Sequence, residues 1–110
     1  MCGITGYVGG ARFTSAISVE QQLTVMANAL TPRGPDSAGY WSDPEHAIAL
    51  AHRRLAIIEP SETGHQPMMS ASGRYVISFN GEIYNHLDLR DQLSIGGSKQ
   101  ITWRGRSDTE

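Results

Sequence analysis

Apolar positions first recur at helical spacing between Ser18 and Leu30. Val19, Leu23, Met26, Ala27 and Leu30 line up as one stripe. Ser18 offers an N-cap hydroxyl, and Gln21 stands at the capping-box position behind it. The predicted helix ends at Thr31-Pro32, because a residue before proline avoids the helical region. Ahead of the helix, Gly3 to Val8 reads as a short strand running into a Gly9-Gly10 turn. Ile48 to His52 and Leu55 to Ile58 read as segments of one bent strand. Tyr75 to Phe79 reads as another strand, broken by Asn80-Gly81. Asn85 then caps a second predicted helix through about Leu93, with Asp88 at the capping-box position and Gly96-Gly97 as its stop. Ile101 to Gly105 reads as a last strand, and Ser107 or Thr109 as the cap of a helix that the chain does not continue. Arg33 to Gly39 is expected to be a loop, and Glu59 to Gly73 a long irregular connection. Strands outnumber helices and do not alternate with them as in a parallel sheet. The expected class is α+β with antiparallel sheet.

The chain has 110 residues, enough for one small domain or a piece of a larger one. At 39% hydrophobic and 18% charged residues it is globular rather than disordered. Nine Lys+Arg against eleven Asp+Glu give a net charge of −2. No basic cluster exceeds the Arg53-Arg54 pair, so nucleic acid is not an expected partner. No apolar stretch suits a bilayer span, so neither is a membrane. The N-terminus lacks the features of a signal peptide. A single cysteine cannot form an internal disulfide, which favours a reducing, cytoplasmic setting.

That cysteine is Cys2, directly behind Met1. Removal of Met1 would leave one residue carrying both a thiol and a free α-amine. The amine has an ordinary pKa of about 7.7–8.0, close enough to neutrality to take a proton from a thiol of about 8.5. An N-terminal amine serving as base for its own side chain is a known catalytic arrangement. Asn80-Gly81 is by itself a hairpin signal, but no strand follows it. The alternative is an oxyanion hole, built from the Asn80 amide and the Gly81 N–H. Adjacent strand residues point to opposite faces, so one of Arg53 and Arg54 can turn toward a site while the other faces solvent. A guanidinium holds a carboxylate by two parallel bonds. Asp108 could hold a cationic amine, or simply favour a helix start. An arginine and an aspartate together would recognise an α-amino acid.

Other chemistries do not fit. His46, His52, His65 and His86 lack metal-site spacing and are expected at the surface or in hydrogen bonds. Gly96-Gly97-Ser98-Lys99 lacks the spacing of a phosphate-binding loop, and the early glycines lack the dinucleotide fingerprint.

The ordered motifs Met1-Cys2-Gly3-Ile4, Arg33-Gly34-Pro35-Asp36, Ala51 to Ile58 (AHRRLAII), Gly64-His65-Gln66-Pro67-Met68, Asn80-Gly81-Glu82-Ile83-Tyr84-Asn85 and Ser107-Asp108-Thr109-Glu110 resemble the start of a class II glutamine amidotransferase domain. That family belongs to the N-terminal-nucleophile hydrolases. The wording Arg-Gly-Pro-Asp with Asn-Gly-Glu-Ile-Tyr-Asn is similar to glutamine-hydrolysing asparagine synthetases. A glucosamine-6-phosphate synthase-like enzyme is the alternative, and an inactive, non-enzymatic fragment is a third reading. Pro32 and Arg106 depart from the family pattern. The resemblance implies an α-β-β-α sandwich of antiparallel sheets, incomplete in residues 1–110. It implies Cys2 as nucleophile and Asn80 with Gly81 as oxyanion donors. Arg54 would bind the glutamine α-carboxylate. Glu82 and Asp108 would bind its α-amine, and Leu55, Ala56, Ile57 and Ile58 would line the pocket. L-glutamine is the implied substrate, with ammonia passed to a C-terminal synthetase domain that uses ATP and Mg2+ and lies outside this chain. No cofactor or metal is expected within it.

Overall fold

In a computed structural model of the chain, residues 1–9, 18–57, 61–96 and 101–110 are described. Strand β1 spans Gly3–Val8 and helix α1 spans Val19–Ala29. The capping box forms as its sequence requires. Ser18 Oγ accepts the Gln21 N–H, and Gln21 Oε1 accepts the Ser18 N–H. Two strands follow, β2 at Ser37–Asp43 and β3 at Ile48–Arg54. Together they make an antiparallel sheet in the order β1-β3-β2. Gly3 pairs with Arg53 on one side of β3, and Ser37 pairs with Arg54 on the other. A second, smaller antiparallel sheet joins β4 (Met68–Met69) to β5 (Val76–Ile77). Helix α2 spans His86–Gly96.

Alternation along β3 separates two environments. Ala49 and Ala51 face α1 and form the core with Leu23 and Ala27. Alanine at these positions lets the helix approach closely. On the opposite face, His52 is 1% exposed, and its Nδ1 lies 3.0 Å from Ser78 Oγ, beyond the end of β5. The lead into the small sheet presses on β2: a Cβ at Gly39 would collide with the Gln66 carbonyl. The result is a mixed α/β arrangement, with α1 on one face of the three-stranded sheet and the Gln66–Ser78 region against the other. No residue of α2 is buried, so its Leu89/Leu93 pair supports no core among the described residues.

Four expectations need correction. Ser37–Gly39, expected as the end of a loop, open strand β2, which runs on to Asp43. Ser37-Ala38-Gly39 carry no strand signal of their own. Pairing with β3 makes them strand, and the Asp43 carboxylate holds the following turn by accepting N–H bonds from Glu45 and His46. Leu55–Ile57 is not strand. The Leu55 N–H goes to Cys2 Sγ and the Ala56 N–H to the Asp36 carboxylate, so neither enters a ladder. Only Val76–Ile77 of the predicted Tyr75–Phe79 strand pairs. The Tyr75 N–H is taken by Ser70 Oγ and the Phe79 N–H by Gln66 Oε1. Ile101–Gly105 is not strand either, because the Glu110 carboxylate accepts the Arg104 and Gly105 N–H groups. The Ser107 hydroxyl does accept the Thr109 N–H, which makes a side-chain-closed turn. The Gly9-Gly10 turn and the Gly97 half of the helix stop extend outside the described residues.

Candidate active site

The end of β3 is where three segments converge on Cys2. The Leu55 N–H donates to Cys2 Sγ at 3.3 Å. The Arg33 Nε–H donates to the Cys2 carbonyl at 3.1 Å. The rest of the Arg33–Asp36 loop grips the β3 end. Gly34 O accepts from Arg53 Nε, the Asp36 N–H donates to Arg54 O, and the Asp36 carboxylate takes the Ala56 N–H at 2.7 Å. Motif spacing singled out this loop without a task for Arg33 or Asp36. Their task is legible only from contacts: they hold the nucleophile candidate and the chain that touches it.

Neighbouring arginines part as strand geometry requires. Arg53 turns to the Gly34 carbonyl, while Arg54 donates to Ser61 O at 2.9 Å and lines a pocket of about 310 Å3. Cys2, Leu55, Ile57, Asn80, Gly81, Glu82 and Asp108 line the same pocket. Thus residues from both ends of the sequence share one concavity. Of the expected lining, Ala56 does not line this pocket, and its N–H donates to the Asp36 carboxylate. Ile58 lies outside the described residues. The lining also includes Gln66, Phe79 and Tyr84, to which the sequence reading gave no role.

Arg54, Glu82 and Asp108 all line this pocket. Opposite charges in one small pocket suit a zwitterion. Asp108 is itself held, with one carboxylate oxygen accepting the Ile83 N–H at 2.8 Å. Behind it, Arg90 of α2 stacks on Trp103 and donates to the carbonyls of Gly105 and Ser107. Arg90 and Arg104 both pair with Glu110. Burial raises the Glu110 pKa, but the N–H bonds from Arg104 and Gly105 outweigh it, and the net pKa is lowered. An ionised Glu110 therefore closes the loop that carries Asp108. Among the described residues, no cluster of His, Cys, Asp and Glu could hold a metal ion, and no helix is long and apolar enough to cross a membrane.

His52 lies on the Arg54 side of β3. Its pKa is lowered to about 4, first by burial and then by the positive charges of Arg54 and His65. Its Nε2 has no hydrogen-bond partner among the described residues. A histidine whose folded pKa lies below its unfolded value of about 6.5 contributes no penalty above that value. As pH falls from about 6.5 toward about 4, the unfolded chain takes up a proton that the folded one refuses. We expect folding stability to drop over this window by on the order of 3 kcal/mol, at about 1.4 kcal/mol per pKa unit. Urea midpoints at successive pH values check this. The His52→Asn variant should show a shallower drop, and an unchanged slope would remove His52 as the cause.

Comparison with known proteins adds to this geometry. A family described as "Glutamine amidotransferase domain" matches residues 1–110. The chain belongs to that family. Asparagine synthetase [glutamine-hydrolyzing] 1 of Bacillus subtilis (strain 168) is 39% identical over 110 residues, all of this chain and 16% of that protein. The corresponding synthetase 3 of the same organism is 38% identical over 112 residues, and synthetase 1 of Arabidopsis thaliana is 36% identical over 110. This amidotransferase domain sequence thus spans 16–17% of the length of those relatives. No solved structure matches it.

Proposed function

We propose that this domain hydrolyses glutamine to glutamate and ammonia through Cys2 as an N-terminal nucleophile. The observation that carries the reading is a cysteine sulfur bonded by a backbone N–H in a pocket that also holds Arg54, Asn80-Gly81 and Asp108. Met1 is 78% exposed at that pocket, within reach of an aminopeptidase. Once Met1 is gone, the α-amine of Cys2 takes the thiol proton as sulfur attacks the side-chain amide carbon. The carbonyl oxygen becomes an oxyanion, received by the Asn80 amide and the Gly81 N–H. The same proton leaves with ammonia, and water then cleaves the thioester to glutamate. Arg54 holds the α-carboxylate, while Glu82 and Asp108 hold the α-amine.

In the full-length protein the ammonia is used to make asparagine from aspartate, with ATP and Mg2+ bound outside residues 1–110. The similarity to glutamine-hydrolysing asparagine synthetases supports this product. The two antiparallel sheets are consistent with the beginning of an α-β-β-α sandwich, which further strands would complete.

The test uses the full-length protein and two amides. Parent enzyme should release glutamate and ammonia from glutamine and discriminate strongly against 4-aminobutanamide, which lacks the α-carboxylate. Arg54→Lys keeps the charge but loses the planar fork, so the KM for glutamine should rise with a smaller change in kcat. Arg54→Ala should hardly discriminate between the two amides. A parent that releases no glutamate sinks the reading. A variant that still prefers glutamine as strongly moves the carboxylate contact away from Arg54.

A further inference from the structure

The pocket walls come from segments that share no strand ladder. Phe79 to Glu82 supply one wall and Ser107 to Thr109 another. The Ile83 N–H on the Asp108 carboxylate ties them at one point, and a second tie would set their spacing, because an oxyanion donor and an ammonium holder serve the same small substrate. Gln66 lies between them and is 8% exposed. Its Oε1 accepts the Phe79 N–H at 2.6 Å, and its Nε2 donates to Thr109 Oγ1 at 3.1 Å. The orientation of this amide follows from chemistry. A backbone N–H can only donate, so the atom facing Phe79 is the oxygen, and the NH2 group faces Thr109. A carboxamide is the neutral group of this length that accepts from one partner and donates to the other. Gln66 is also anchored from behind, since its backbone rests on Gly39 of β2, where no Cβ would fit.

We propose that Gln66 is a positioning residue that sets the spacing between Asn80-Gly81 and Asp108, and so makes hydrolysis depend on the substrate's α-amine. This rests on the glutaminase reading above. Phe79 precedes Asn80 directly, and Thr109 follows Asp108 directly. A shift at either bond is therefore passed to the residue that faces substrate. Misplacement by about 1 Å costs on the order of 10²-fold in rate. The Gly64 to Met68 motif thereby acquires a task that its sequence does not reveal.

The experiment compares glutamine with glutaramic acid, which lacks only the α-amine, in the full-length protein. Parent enzyme should strongly prefer glutamine. Gln66→Met keeps shape but loses both bonds. It should lower kcat/KM for glutamine by about 10²-fold, through KM and kcat together, and lower it far less for glutaramic acid. Thr109→Val cuts only the second link. It should raise the KM for glutamine and reduce the preference in the same direction, with a smaller effect on kcat. A purely structural role would move the thermal midpoint and scale both substrates alike. Parental preference in a folded Gln66→Met variant overturns the proposal and leaves the glutaminase reading intact. If Gln66→Met does not fold, Thr109→Val decides: unchanged preference overturns the proposal. A parent without glutaminase activity instead defeats the reading on which it rests.

Discussion

Cys2→Ala should abolish glutamine hydrolysis in the full-length protein, while synthesis from free ammonia continues. The expectation rests on the place of this residue in the pocket. Cys2 is the only cysteine of residues 1–110, and its sulfur already receives the Leu55 N–H at 3.3 Å. The bond holds the sulfur at the pocket, where the nucleophile is needed. Alanine removes the atom that forms the thioester and leaves the neighbouring walls in place. Cys2→Ser should retain little activity, since a hydroxyl is a far weaker acid than a thiol. Glutamate release and ammonia-dependent asparagine formation, measured on the same preparation, separate the two chemistries. Parental glutaminase rates in Cys2→Ala would remove Cys2 from the mechanism. Loss of both activities would point to misfolding rather than to the nucleophile.

Asn80→Ala should lower kcat for glutamine hydrolysis by about 10²–10³-fold, the usual cost of one oxyanion donor, with little change in KM. The reason is that charge reaches the amide oxygen only in the transition state. A donor aimed at that charge contributes little to binding the ground state. Asn80 follows Phe79, whose N–H is committed to Gln66, so the donor is presented from a segment tied to its surroundings. Steady-state kinetics on the variant distinguish the roles. A rise in KM at unchanged kcat would make Asn80 a residue of substrate binding instead.

Local signals were sufficient where the chain needs only its neighbours. Ser18 and Gln21 are three positions apart, so the capping box and α1 were readable without knowledge of the fold. Gly3–Val8 was readable from its own composition, although its ladder is with the distant β3, and the start of α2 near Asn85 was readable as well. Candidate chemistry was legible too, because Cys2, Asn80-Gly81 and Asp108 are unusual residue types in telling order. Strand ends were not legible. Leu55, Phe79 and Gly105 all stand in stretches that read as strand. Each gives its N–H to a side chain distant in sequence or around a turn: Cys2, Gln66 and Glu110. β2 was missed for the converse reason, since its pairing with β3 outweighs a composition without alternation.

By itself, then, the order of residues determined the family, the helices and the core stripe of α1, and it named the candidate site residues. Tertiary structure decided which of two adjacent arginines turns inward, and that Arg33 and Asp36 grip the Cys2 and Leu55 segments. It also decided that Gln66 spans the gap between Phe79 and Thr109. These are pairings across long stretches of sequence. They form because each N–H at the pocket rim needs a partner, and only folding brings the side chains that meet that need within hydrogen-bond reach.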